Sequence, residues 1–341
     1  MPVCLGAFAH CYPALGEHSH LRYLAQLGVE KVIMAGHDPN LNPGGKAGGD
    51  KPGLVWDYLK LVALVNDIQE LGMELGGIET AGQAESFAME HIWLGGPLRD
   101  QQLDTMATNI RLAGKAGVTL IAYHWMCNPP TMITASWRHS NAVPCRGGSL
   151  TAALDMDRLE PMPLLREREY SHEEMWDNYE YFARKIVPVC EEAGVRMAIH
   201  PDDPPVESMG GMPRLFHNLE GHVRAMEIGN SPLWGINLCL GNWQAMGVDL
   251  DEVITTLGGD KIFQGHVQAI NGTVPRFQET FVDLGDCDFL AVIRSLNRAG
   301  SNAHLAPIHS PKISGDEGGR QINAFDLGYL RALMQTAARE S

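Results

Sequence analysis

Hydrophobic and polar positions along this chain fall into a repeating order: a short apolar run, a polar stretch, then a longer segment with helical spacing. Eight such runs can be counted, at 3–9, 31–35, 74–79, 118–123, 195–199, 233–238, 262–265 and 303–307. Short, nearly continuous apolar runs suit strands buried on both faces, and their alternation with helical segments is that of parallel strands joined by crossover helices. The spacing predicts helices near 21–27, 55–71, 103–116 and 173–193, with Gly28, Gly117 and Gly194 placed to stop the first, third and fourth. Closing eight units into a barrel removes both exposed sheet edges, so the expected fold is an α/β (β/α)8 TIM barrel, with residues 1–341 as a single domain. The stretch 128–161, rich in Gly, Pro, Ser and Thr, is too long for an ordinary connection and is expected to form a lid or substrate wall after the fourth strand.

In such a barrel the C-terminal strand ends converge on the active site. The residues found there are His10, His37, Glu79, Tyr123 with His124, His200, Cys239, His266 and His309. A lone histidine at a strand end is more often a satisfied structural residue than a ligand; it is the recurrence that points to chemistry. His200, Cys239 and His266 close three successive strands, and imidazole with thiolate suits zinc, iron or another borderline divalent ion. For Cys239 alone, the competing reading is a small buried apolar residue. The octet AIHPDDPP at 198–205 reads as a strand emptying into a stiff loop, because Pro201 disfavours helical geometry at His200; Asp202 and Asp203 would then face the pocket or the ion's surroundings. Trp125 and Trp137 could wall a sugar pocket or simply pack, and Arg138 could meet an anionic group or lie exposed.

Charge narrows the partners. Lys and Arg total 26 against 41 Asp and Glu, a formal charge of −15, which repels phosphate backbones and acidic membranes, so neither nucleic acid nor a membrane is an expected partner. No apolar run reaches membrane-spanning length and the opening MPVCLGAFAH lacks a secretory pattern, so a cytoplasmic protein is expected. The cysteines at 4, 11, 127, 145, 190, 239 and 287 are scattered, without a paired spacing, and reduced thiols are the default. There is neither a phosphate loop of the Walker kind nor a G-x-S-x-G elbow, and Gly147-Gly148-Ser149 reads as a turn.

The string EAGVRMAIHPDDPP at 192–205, followed by Met212-Pro213-Arg214, resembles the mannonate dehydratase family, metal-dependent sugar-acid lyases of the xylose-isomerase-like barrel group. Weaker matches run through Tyr12, His37-Asp38-Pro39-Asn40, Ile78-Glu79, Trp137-Arg138, Leu238-Cys239-Leu240-Gly241, Gly265-His266-Val267 and Gly285-Asp286-Cys287-Asp288. The resemblance implies His200, Cys239 and His266 as metal ligands, for Mn2+ by family habit, with Fe2+ or Zn2+ as alternatives. It implies His309 as the catalytic histidine, and Glu79 as a catalytic carboxylate or one that supports the ion or holds a hydroxyl. Tyr12, His37, Trp137, Arg138, Asp202 and Asp203 are then the expected substrate contacts, and a homo-oligomer is the expected assembly. Two positions depart from the family pattern: Ile308 stands where an aspartate completes the metal shell, and Ala324 where a catalytic tyrosine is found. The expectation is therefore a divergent lyase that eliminates water, or another β-leaving group, from a sugar acid or an oxidised sugar derivative. A metal-dependent sugar isomerase or epimerase, and a sugar-binding relative without catalysis, are the alternatives.

Overall fold

The computed structural model describes residues 3–9, 19–36, 51–80, 87–127, 140–159 and 161–339. Eight parallel strands close into a barrel: β1 (Cys4–Ala9), β2 (Lys31–Ala35), β3 (Glu74–Thr80), β4 (Leu120–His124), β5 (Arg196–His200), β6 (Trp234–Cys239), β7 (Ile262–Val267) and β8 (His304–Pro307). Each pairs with its sequence neighbours, and β8 closes onto β1 through Cys4 opposite His304 and Leu5 opposite Leu305. The eight apolar runs are these strands, so the expected (β/α)8 architecture is the observed one.

Five strands, β3 to β7, continue one or two residues beyond the apolar runs. His124, His200, Cys239 and His266 are strand residues rather than loop residues, because a polar side chain does not stop its backbone from pairing with the next strand. That extension sets the site: His124 lies opposite His200, and Cys239 opposite His266, so all four stand at the barrel mouth.

Helices cover the barrel where the spacing predicts them. The helix His172–Ala193 starts on a capping box in which Ser171 and Glu174 each satisfy the other's backbone N–H. It ends at Gly194, whose φ of 67° is left-handed and costs a glycine nothing. Among the described residues no helix is long and apolar enough to cross a membrane.

The long stretch after β4 is more than a loop. Within it, Ser140–Pro144 and Leu150–Asp155 form a hairpin that turns through Gly147 and Gly148, at φ 65° and 80°. Leu150–Asp155 pairs antiparallel with Arg276–Glu279, which pairs with Ile270–Thr273, completing a four-stranded accessory sheet. The stretch expected as a lid or substrate wall thus contributes two strands to an ordered sheet, shared between the segments after β4 and β7.

The last helix, Arg320–Arg339, holds Asp326 at 2% exposure, where it accepts a hydrogen bond from Ser310 Oγ while its Oδ1 has no partner. Burial pushes this carboxyl up to about 7. Between the unfolded value near 3.9 and that folded value, the native state keeps a proton the unfolded chain has released, so stability falls as pH rises through this window. Asp326→Asn keeps an acceptor for Ser310 and removes the titration. The variant should be more stable than the parent at pH 8, on the order of 2–4 kcal/mol, and nearly equal to it at pH 4, as read by urea denaturation at both pH values.

Candidate active site

Glu79 is the hub of the barrel mouth. Its Oε2 lies 2.8 Å from His266 Nε2, 2.8 Å from Gln264 Nε2 and 3.2 Å from Asn237 Nδ2, and its Oε1 lies 3.1 Å from His124 Nε2. Burial alone would push this carboxyl up, but the charge and hydrogen bonds of His266 and His124 outweigh it and hold Glu79 well below the usual carboxylate range. An ionised carboxylate only accepts, so His266 and His124 each present Nε2–H to Glu79. His266 Nδ1 is buried without a hydrogen-bond partner.

The neighbouring His200 is held through its other nitrogen. His200 Nδ1 lies 2.6 Å from the carbonyl oxygen of Pro201, which can only accept, so Nδ1 carries the proton and Nε2 is free. Burial, followed by the neighbouring His124 and His266, pushes the imidazole well below its ordinary value, and His200 is neutral. Its ring stacks on that of His124, with centroids 4.3 Å apart and planes 9° from parallel.

Cys239 completes the group. One ligand atom each from His200, Cys239 and His266 lies within 4.8 Å of the others, and all three residues are buried. Two donors bound to one ion at about 2.0–2.3 Å lie up to roughly 4.6 Å apart, so little movement is needed to bring all three onto a common ion. A buried imidazole nitrogen without a partner costs about 1–3 kcal/mol, and an ion at this point would satisfy it. Asn242 Nδ2 donates to Cys239 Sγ at 3.5 Å, and Sγ is 3.4 Å from Gln268 Oε1. With His200 neutral, His266 Nδ1 unsatisfied and the three donors within 4.8 Å, this donor set fits a divalent metal.

His309 follows β8 with φ 57°, a left-handed conformation uncommon for any residue but glycine. Its Nδ1 lies 2.9 Å from Glu279 Oε1. Ile308 beside it is half-buried and donates its backbone N–H to the Val267 carbonyl at 3.2 Å.

Of the expected substrate contacts, Asp202 has a different assignment in the structure. It is fully buried, with Oδ1 3.3 Å from Arg214 Nη1 and Oδ2 accepting from the Phe216 backbone N–H at 2.7 Å, so its carboxylate fastens the loop after β5 instead of facing the pocket. Asp203, also buried, has its backbone N–H 3.1 Å from Met126 Sδ. Tyr12, His37, Trp137 and Arg138 lie outside the described residues. Trp125 packs against Tyr179 and Phe182 in the core, which is the plainer of its two readings.

Several residues of the site are absent from the sequence-based set: Asn237, Gln264, Gln268 and Glu279, with His124 named only as a strand-end residue. Two-residue alternation carries a signal for two of them. Asn237 shares a strand face with Cys239, and Gln264 shares one with His266, so a buried amide stands two residues before each of these candidate ligands.

The model of the family described as D-mannonate dehydratase (UxuA) matches residues 12–162 and 150–337. Mannonate dehydratase 2 of Halalkalibacterium halodurans is 29% identical over 93% of this chain and 95% of its own. Among solved structures, mannonate dehydratase from Streptococcus suis superposes with a TM-score of 0.81 at 25% identity, covering 100% of this chain and 95% of that one. A xylose isomerase domain protein from Planctomyces limnophilus shares the fold, with a TM-score of 0.63 at 14% identity over 99% of this chain and 100% of that one.

Proposed function

Since this chain belongs to the mannonate dehydratase family, we propose that it is a metal-dependent hydro-lyase acting on a sugar acid, with mannonate or a close relative as substrate and Mn2+ as the ion. The observation that carries this reading is the convergence of His200, Cys239 and His266, with one ligand atom from each within 4.8 Å of the others, and His309 two residues beyond the end of the adjoining strand.

When bound, the divalent ion would supply Lewis acidity toward an oxygen of the substrate. The protein's part follows from elimination chemistry. A proton must leave the carbon beside the carboxylate, hydroxide must leave the next carbon, and the resulting enol becomes a 2-keto-3-deoxy acid with one water released. His309 is the group we assign to move the proton: Glu279 holds its Nδ1, and Nε2 is the nitrogen we assign to the exchange with substrate. Glu79 keeps His266 in one tautomer and orientation, and the carbonyl of Pro201 does the same for His200. Asp203 we retain as a contact for substrate hydroxyls at the edge of the site.

The test is product identification. Purified protein supplied with Mn2+ should convert D-mannonate or another aldonate to a 2-keto-3-deoxy acid, seen by NMR in D2O as a new methylene carrying deuterium. Conversion to an isomer of unchanged mass would instead support epimerisation, and binding without conversion would support a sugar-binding role.

A further inference from the structure

One buried carboxylate at the mouth comes from outside the barrel. Glu279 ends the accessory strand Arg276–Glu279, paired opposite Ile270, and its side chain is 4% exposed. Its Oε1 lies 2.9 Å from His309 Nδ1 and 3.0 Å from Gln268 Nε2, and the Oε1 of Gln268 is 3.4 Å from Cys239 Sγ. One carboxylate oxygen therefore touches His309 directly and reaches the sulfur of the ion cradle through a single amide.

From this geometry we propose that Glu279 is the positioning residue of His309, and that the accessory sheet brings it to the barrel mouth. The proposal rests on the reading of His309 as the group that moves the proton. A carboxylate that accepts from Nδ1–H selects the tautomer whose Nε2 holds a lone pair, and it stabilises the imidazolium formed when Nε2 takes a proton. Three features of the structure converge on this role. Glu279 is fixed by a sheet ladder, not by a loop. Gln268 donates its amide N–H to the same oxygen and so holds the carboxylate from the other side. His309 occupies a left-handed conformation that it keeps only because its surroundings determine it, as is common where a side chain must be aimed. The balance of the step is simple: Nε2 gains the proton that the substrate carbon loses, Nδ1 keeps its own, and the carboxylate stays ionised throughout.

The test uses the full chain with Glu279→Leu and Glu279→Gln, the second nearly isosteric and able to accept from Nδ1–H without a charge. The tautomer of His309 is read by long-range 1H–15N NMR of protein carrying labelled histidine and loaded with diamagnetic Zn2+, the His309 signal being identified by its loss in His309→Asn. The parent and E279Q should show the Nδ1–H form, and E279L a substantial population of the Nε2–H form. With Mn2+ and the turned-over aldonate, kcat of E279L should fall about 10²-fold or more with KM within about threefold, and E279Q should fall between parent and E279L. Bound metal should be unchanged in both. An unaltered tautomer in E279L would overturn the proposal, as would an unaltered kcat in that variant. If His309→Asn itself keeps full turnover, the proton-moving assignment of His309 has failed, an outcome the tautomer measurement separates from failure of the Glu279 contact.

Discussion

Replacing His200 by alanine should strip the chain of tightly held metal and of most of its turnover while leaving it folded. The expectation follows from what the residue does in the structure. His200 is neutral, its Nδ1 is committed to the Pro201 carbonyl, and one ligand atom from each of His200, Cys239 and His266 lies within 4.8 Å of the others. Losing a residue that merely supports a ligand typically weakens metal binding by 10–100-fold, so losing one of three ligands should cost at least about 10²-fold. An ion's Lewis acidity contributes several kcal/mol, and at 1.36 kcal/mol per factor of ten its loss corresponds to roughly 10³-fold in kcat. The check is Mn2+ titration followed by electron paramagnetic resonance, with kcat measured beside it. Circular dichroism should be that of the parent, because alanine at a barrel position between paired strands leaves the ladder intact. Full metal content with full turnover would remove His200 from the cradle.

The legibility of this site followed the physics of each element. Strands buried on both faces write themselves as apolar runs, and all eight are visible as such; several ends fall one or two residues further on, at Thr80, His124, His200, Cys239 and Val267, because the polar side chains met there look like the beginning of a loop. His200, Cys239 and His266 were legible because they sit at those ends, and because the string around Pro201 is distinctive. Glu279 was not, since it is one polar residue in the four-residue strand Arg276–Glu279, whose partner across the sheet is drawn from more than a hundred positions earlier in the chain. Nothing local distinguishes such a carboxylate from any exposed one; only the closed fold brings it against His309. Asp202 shows the converse. Its neighbourhood in sequence is that of the site, but a carboxylate two residues after His200 is close enough to Arg214 and the Phe216 amide to be committed to the loop itself.

That pairing is where a single substitution should do most to stability. Asp202 is 0% exposed and Arg214 2%, so each charge has given up its water for the other. Burial pushes the Asp202 carboxyl up, while Arg214 and the Phe216 N–H pull it back. Arg214→Met keeps a long apolar stem but leaves Asp202 buried with its one backbone donor, and breaking a buried pair from one side typically costs 3–5 kcal/mol. Removing both charges is a different matter, because the desolvation cost goes with them: Asp202→Asn combined with R214M leaves an amide oxygen to accept from Phe216 and should recover most of the loss. The pH dependence separates this from a simple packing defect. In R214M the uncompensated carboxylate favours its protonated form, so the deficit should shrink as pH falls toward 5, whereas a cavity would cost the same at every pH. Urea denaturation of the two variants at pH 5 and 8 reads both effects. Because this loop begins directly after His200, loosening it should also weaken Mn2+ binding in R214M and spare it in the double variant; if the double variant instead binds metal normally but loses only affinity for the sugar acid, Asp202 serves substrate as well as loop.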